Sequence, residues 1–280
     1  MINLESLPAP LVVEPLDFEA ILAEIKADLL RRYPDAADVL DLESEPLTKL
    51  MEAFAYRELL YRARVNDAAR AHLLAFATGS DLDHLAALFG VLRQPAETDE
   101  RLRARLQLRI AAMAGQGTRE HYEFHAMTAC ADVRAAHATT PQPGAVRVVL
   151  WLEDGADADA VQQTVLSALD ADDVRVLGVP VTVGAARPKP IDVSARIWHA
   201  PSALPTLLDV LRQRMADAFA ARATLGMPVS RSWITTLLHA DGVAAVEFMG
   251  NATPPASTPL ADDEYPVPGV VTLDDMGVFA

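Results

Sequence analysis

The sequence predicts an α+β protein, with an N-terminal helical region built on one long helix and a small α/β-sandwich-like C-terminal region. Two observations carry this. Residues 47–78 form a run free of glycine and proline, with apolar side chains three, four or seven apart at Leu47, Met51, Phe54, Tyr61, Val65 and Ala68. Near Val133 the period changes from helical to alternating, and strand-like and helix-like stretches interleave from there to Phe248.

The elements follow in chain order. A lead interrupted by Pro8, Pro10 and Pro15 reaches Asp17, which is placed to cap a helix carrying Phe18, Ile21, Leu22, Ile25 and Leu29. That helix stops near Tyr33-Pro34. Glu43-Ser44-Glu45-Pro46 opens the long helix, whose second apolar set (Leu50, Leu59, Leu60, Leu73, Phe76) widens the stripe beyond one face. At about 1.5 Å per residue the run reaches roughly 45 Å. A helix so long and so widely apolar must bury its sides against partner helices, from this chain or another. Leu50, Met51, Phe54, Tyr61 and Val65 are the expected partner-binding anchors, because large apolar and aromatic side chains dominate interface energetics.

Gly79 is expected to end the helix, with Ser80 or Asp81 capping a short one of Leu82, Leu85, Leu88 and Phe89 that closes at Gly90. Thr98 begins another, with Leu102, Leu106, Leu108 and Ile110 inward. After the Gly115-Gln116-Gly117 hinge, Thr118 caps a helix containing Tyr122, Phe124 and Met127. Val133–Thr139 and Val146–Leu152, joined by Pro141-Gln142-Pro143-Gly144, read as a hairpin. Asp157 and Asp159 cap a helix of Val161, Val165 and Leu169, and strand character returns at Val179–Val183. Ile191, Val193, Ala195 and Ile197 alternate with polar neighbours, as in a half-buried strand, expected here at a sheet edge. Helices around Leu204–Ala221 and Arg231–His239 lead to a final strand at Val243–Phe248. Beyond Gly250 the chain is rich in proline, serine and aspartate, an extended tail that a neighbour could capture. The expected domains are residues 1–130 (helical bundle region), 131–249 (α+β) and 250–280 (tail).

Composition narrows the function. The 280 residues are 51% hydrophobic and 22% charged, with a formal net charge of −15, so nucleic acid and anionic membranes are repelled at long range and are not expected partners. No run approaches about 18 uninterrupted apolar residues, and the N-terminus lacks the basic start and apolar core of a signal peptide. The single cysteine, Cys130, lies in a small apolar stretch and is expected to be a buried core thiol in a protein folded in a reducing cytoplasm.

The chemistry-bearing residues form no expected catalytic, cofactor or metal site. His121 and His125 share a helical face, but no third ligand follows at metal spacing, so capping and packing explain them. His72 and His84 lie on apolar helical faces, as core or interface groups. Asp157 and Asp159 are explained as caps, without a calcium loop. Arg101, Arg103, Arg105 and Arg109 cannot share one face, which favours solvation or salt bridges to Glu97, Asp99 and Glu100; a subunit contact is the alternative. No Walker loop, dinucleotide fingerprint or nucleophile elbow occurs.

The motif order resembles a known family. Leu7-Pro8-Ala9-Pro10, Val13-Glu14, and Leu16-Asp17-Phe18-Glu19 with Ile21-Leu22 come first. Leu42–Leu47 with Lys49-Leu50, Ala55–Leu59, Arg64-Val65-Asn66 and Ala68–Ala71 follow. Gly79 with Asp81-Leu82-Asp83, then Thr98-Asp99 with Arg101 and Arg103, and Tyr122-Glu123 with His125 continue the series. Asp173–Val176, Leu225-Gly226, and Gly242-Val243 with Val246-Glu247 are weaker echoes. Together they are similar to the baseplate assembly protein J family of contractile-tailed phages, over residues 7 to 248 and most densely over the first 125. The Leu92–Thr98 stretch is shorter than the family's, and the tail after Gly250 matches no family pattern.

The resemblance implies a baseplate wedge protein without enzymatic activity. Its implied partners are a second copy of itself, a neighbouring wedge protein like protein I, and sheath-proximal wedge and hub proteins. It implies assembly in a bacterial host's cytoplasm into the baseplate of a virion or tailocin. Two alternatives are weighed against it: a tail-associated hydrolase, which needs two inward carboxylates in a cleft, and a helical adaptor unrelated to phage.

Overall fold

The computed structural model describes residues 14–40, 42, 44–222, 225–250 and 253–279. The expected prolines at 8 and 10, Val13, and Glu43 of the helix-opening segment lie outside the described residues. Contacts divide the chain into two compact units: residues up to Arg93 with Thr98–Arg103, and Gln94–Glu97 with the residues from Ala104 on.

In the first unit, Asp17 accepts a hydrogen bond from the Ala20 amide and starts α1 (Phe18–Arg32). A 3₁₀ turn and the short α2 (Ala37–Leu40) lead to α3 (Pro46–Ala71), whose first residue is proline, the residue suited to a helix start. Ile21 and Leu22 of α1 pack with Ala36, Leu40, Met51 and Ala55 to form this unit's core. The long helix ends at Ala71, seven residues before the expected Thr78. Tertiary contacts override the periodicity there: the Arg103 guanidinium takes the carbonyls of Leu74 and Ala77 at 2.8 Å each, and the chain turns. The next helix, α4 (Gly79–Ala87), is capped neither by Ser80 nor by Asp81. The Asp99 carboxylate accepts the Gly79 amide at 3.0 Å, and this bond with the Arg93 contact holds that carboxyl below its ordinary range. Gly90, at φ 71°, closes the helix and lets the Val91 amide reach the Ala86 carbonyl.

Helix α5 (Asp99–Ala112) opens on the Thr98 hydroxyl, and α6 (Arg119–Ala129) on the Thr118 hydroxyl, as the sequence predicts. In the second unit, β1 (Val133–Thr139) and β2 (Val146–Leu152) form the expected hairpin. Helix α7 (Ala158–Leu169), capped by Asp157, crosses over to β3 (Val181–Ala185), which lies parallel to β2. A second sheet has the order β6-β4-β8, where β4 is Arg187–His199, β6 is Val243–Phe248 and β8 is Glu264–Val278. Helices α8 (Leu207–Ala221) and α9 (Arg231–Leu238) cover one face, burying Leu211, Met215, Phe219, Ile234 and Leu238 against Ile191, Val193, Ala195 and Ile197. Strands β5 (Val229–Ser230) and β7 (Ser257–Thr258) form a separate pair.

Two expectations are corrected here. β4 is the central strand of its sheet and not an edge, and β6 is not the last strand. The Pro-rich stretch does run extended, but as β8 it lies parallel along the chain's own β4. Proline is tolerated because β8 sits at a sheet edge. The two sheets meet where Trp151 of β2 stacks on Tyr265 of β8, ring centroids 4.4 Å apart, with the Arg134 guanidinium on the Trp151 ring. Asp263 adds a second weld, bonded to Arg187 of β4 and Arg147 of β2. Burial would raise its carboxyl, yet the two guanidiniums hold it below its ordinary value.

Candidate functional site

At 3.6 residues per turn, Leu50, Phe54, Tyr61 and Val65 fall within about 60° of one another on α3, while Met51, Ala55 and Asn66 point about 90° away. The structure separates these two sets. Met51 is 4% exposed and belongs to the core against α1, whereas Leu50, Phe54, Tyr61 and Val65 are 52%, 59%, 64% and 47% exposed. Four of the five expected anchors thus form one outward stripe. Met51 is corrected: it is consumed by the chain's own core and has no surface to offer a partner. Arg57 lies over the Tyr61 ring at 5.9 Å.

The helix is held in place from its buried side. Asn66, nearly inaccessible, accepts the Glu14 amide and donates to the Glu14 carbonyl, both at 2.8 Å, so its side-chain amide acts as a stand-in for a backbone partner. Arg62 gathers Glu14, Glu24 and Glu58. Beyond the stripe, a groove of about 600 Å³ is lined by Arg64, Asp67, His72, Asp81, His84 and Leu88 among others. His72 and His84 are therefore exposed groove residues and not core groups.

The second unit holds the other titratable clusters. His121 is buried and donates from Nε2 to the Val174 carbonyl at 3.0 Å, with His125 packed edge-on against it. Burial, then the neighbouring His121 and Arg109, push the His125 imidazole down to about 4, against the pull of Asp173. Glu123 is buried and accepts the Ala138 amide, with His137 at 3.4 Å. Arg109 lies over the Phe124 ring. Cys130 is half-buried, its thiol 3.6 Å from Asp132, because it caps α6 in extended conformation instead of continuing into the core. The one pairing whose depth the sequence hides is Arg105 with Glu97: both are enclosed, bonded at 2.7 and 2.8 Å. An acidic residue ahead of the arginines was legible, but not that this pair is desolvated.

Among the described residues, no group of three or more histidine, cysteine, aspartate or glutamate side chains is arranged to hold a metal ion. No described helix is long and apolar enough to cross a membrane.

Over 285 aligned residues the chain is 36% identical to baseplate protein J of Escherichia phage P2, a match that spans 94% of this chain and 92% of that protein. The chain belongs to the baseplate protein J family. A model of the baseplate J-like N-terminal domain matches residues 43–98, which contain all of α3 and α4. The stripe therefore lies inside the matched domain. A cryo-EM structure of the anti-feeding prophage baseplate, six-fold symmetrised, aligns with 66% of the chain at a TM-score of 0.42 and 17% identity, and the match spans only 43% of that longer chain. Assignment to the protein J family rests on the P2 relative, and it makes this chain a structural baseplate component.

Proposed function

We propose that the chain is a scaffold of the baseplate wedge, joined to a second copy of itself and to a neighbouring wedge protein through the outward stripe of α3. The observation that carries this reading is the exposure of Leu50, Phe54, Tyr61 and Val65 on one face of a helix whose other side is fixed by Met51, Ala55 and Asn66. Four large apolar side chains in line on a helix roughly 39 Å long form a surface that water disfavours and a partner helix would cover. The domain organisation expected from the sequence fits this division of labour: the helical region bundles with wedge partners, and the sheet region, with the strand that follows it, carries contacts between copies around the ring. Sheath-proximal wedge and hub proteins complete the set of partners, and assembly takes place in the bacterial host's cytoplasm.

A scaffold without catalysis fits the buried carboxylates. Glu97 is committed to Arg105 and Glu123 to the Ala138 amide and His137, so neither stands as one of the paired acids that a tail hydrolase requires.

Phe54→Asp tests the stripe. The charge leaves the isolated chain folded, since Phe54 is exposed, but opposes burial in a bundle by several kcal/mol. The expected outcome in a complementation assay is loss of complete baseplates with soluble chain retained. Normal baseplate yield would remove the stripe from the interface.

A further inference from the structure

Two arginines stand in the outward face of α3. Leu50, Phe54, Tyr61, Ala68 and Ala71, with Arg57 and Arg64 between them, follow at alternating intervals of four and three residues, the spacing of a seam between packed helices. At 3.6 residues per turn the two arginines lie about 20° apart, along one margin of the exposed stripe. Arg62, on the other margin, gathers three carboxylates, and Lys49 bridges Glu52. Arg57 and Arg64 are exposed and form no ion pair among the described residues. The positions three and four residues from Arg57 hold Ala53, Phe54, Leu60 and Tyr61, so its own helix offers it no acid. Glu58, its neighbour in sequence, is held by Arg62 at 2.6 Å. In a chain of net charge −15 these unpaired cations are a local exception, and they sit beside the apolar side chains that a partner would cover.

A guanidinium carried into a helix seam keeps its charge, so it must meet a carboxylate there or weaken the interface. A second α3 laid parallel on this seam sets Arg57 against Arg57 and Arg64 against Arg64, a like-charge juxtaposition. Laid antiparallel, it still gathers four guanidiniums in a seam whose own positions hold no acid. A helix of another chain, with apolar residues at the same spacing and a carboxylate opposite each arginine, satisfies both. The seam runs at its far end into the groove of about 600 Å³, which takes Arg64, Ala68 and Ala71 from α3 and Leu85 and Leu88 from α4. Asp67 and Asp81 line that groove as well, so the partner's acids belong opposite Arg57 and Arg64 and not beyond them. We infer that this seam selects an acidic amphipathic helix of a different protein, with Arg57 and Arg64 as the residues that determine the choice. The inference rests on the scaffold reading above, and of the two partners named there it gives the arginine-bearing seam to the neighbouring protein.

Complementation with the full chain tests this beside Phe54→Asp. Arg57→Glu with Arg64→Glu should leave the isolated chain melting as wild type, and should cut the yield of complete baseplates roughly tenfold or more. Arg57→Lys with Arg64→Lys, which keeps both charges, should retain most of the yield. Arg31→Glu with Arg32→Glu makes the same change in net charge on α1 and should assemble normally. Normal yield from the Arg57→Glu, Arg64→Glu chain overturns the acidic partner, and loss with Phe54→Asp in the same assay leaves the stripe standing without it. Equal loss from the α1 reversal also overturns it, the defect then being one of bulk charge. Normal yield from Phe54→Asp overturns the stripe and this inference together. A photo-crosslinking residue in place of Ala68, in assembled baseplates, reads the occupant. Attachment to a helix of another protein with acids seven residues apart is the expected result. Attachment to a second copy of this chain, or to a segment without such acids, overturns the assignment.

Discussion

His125 shows how one residue's surroundings set a pH window. Its ring packs edge-on against His121 at 4.6 Å between centroids, and burial, with His121 and Arg109 beside it, lowers its value to about 4. The unfolded chain titrates near the ordinary value of about 6.5. Between these values the unfolded state binds a proton that the folded state refuses, so stability is complete above about 6.5 and is lost as pH falls toward 4. Denaturant titrations at pH 7 and pH 4.5 should show a drop in the stability of the α6 region that His125→Gln reduces. An equal drop in the variant would assign the effect elsewhere. The spacing of His121 and His125 is legible in the sequence, but the low value is not, since it depends first on burial that only the packed fold supplies and then on Arg109 arriving from α5. The same holds for Arg105 and Glu97: the sequence names both charges, while Thr128, which Arg105 meets in the folded chain, comes from the far end of α6.

At the scale of elements, local signals are legible in the sequence and long-range ones are not. Asp17, Thr98, Thr118 and Asp157 start the helices they were expected to start, because an N-cap is a bond between neighbours in sequence. The end of α3 is hidden for the opposite reason, since the Leu74 and Ala77 carbonyls claimed by Arg103 leave no trace in the pattern of residues 72–78. The bulge in β8 is another long-range feature. Between Ile191 and Val193 the ladder slips, and the Asp192 carboxylate accepts the Val270 amide at 2.8 Å in place of a backbone partner. Gly269 makes room for this: a Cβ there would collide with the Asp192 carboxylate and lie 3.1 Å from the Ile191 carbonyl carbon. Gly269→Ala should therefore destabilise the second unit by about 2 kcal/mol, lowering its melting transition by roughly 5 °C. A transition within a degree of wild type would mean that Asp192 swings aside at no cost and that the bulge is loosely held.

At the scale of the whole chain, the class and the order of elements follow from periodicity, but the completion of the second sheet does not. Pro266 and Pro268 argue against a strand on local grounds, and parallel pairing to β4 places its partner more than seventy residues away. An edge position reconciles the two, because the side of β8 turned from β4 needs no amide donors. The strand is not ornamental. It carries Leu273 into the core, bears the Tyr265 ring that stacks on Trp151, and occupies the flank of β4 along nearly its whole length. Truncation after Asp263 should expose that flank as a row of unpaired amides and carbonyls beside an apolar core. The expected result is aggregation of the truncated chain, with loss of cooperative unfolding in the second unit and retention of helical signal from the first. Circular dichroism with light scattering reads both. A truncated chain that stays monodisperse and melts like wild type would show that the sheet is complete with β4 at its edge, which is the arrangement the sequence predicted.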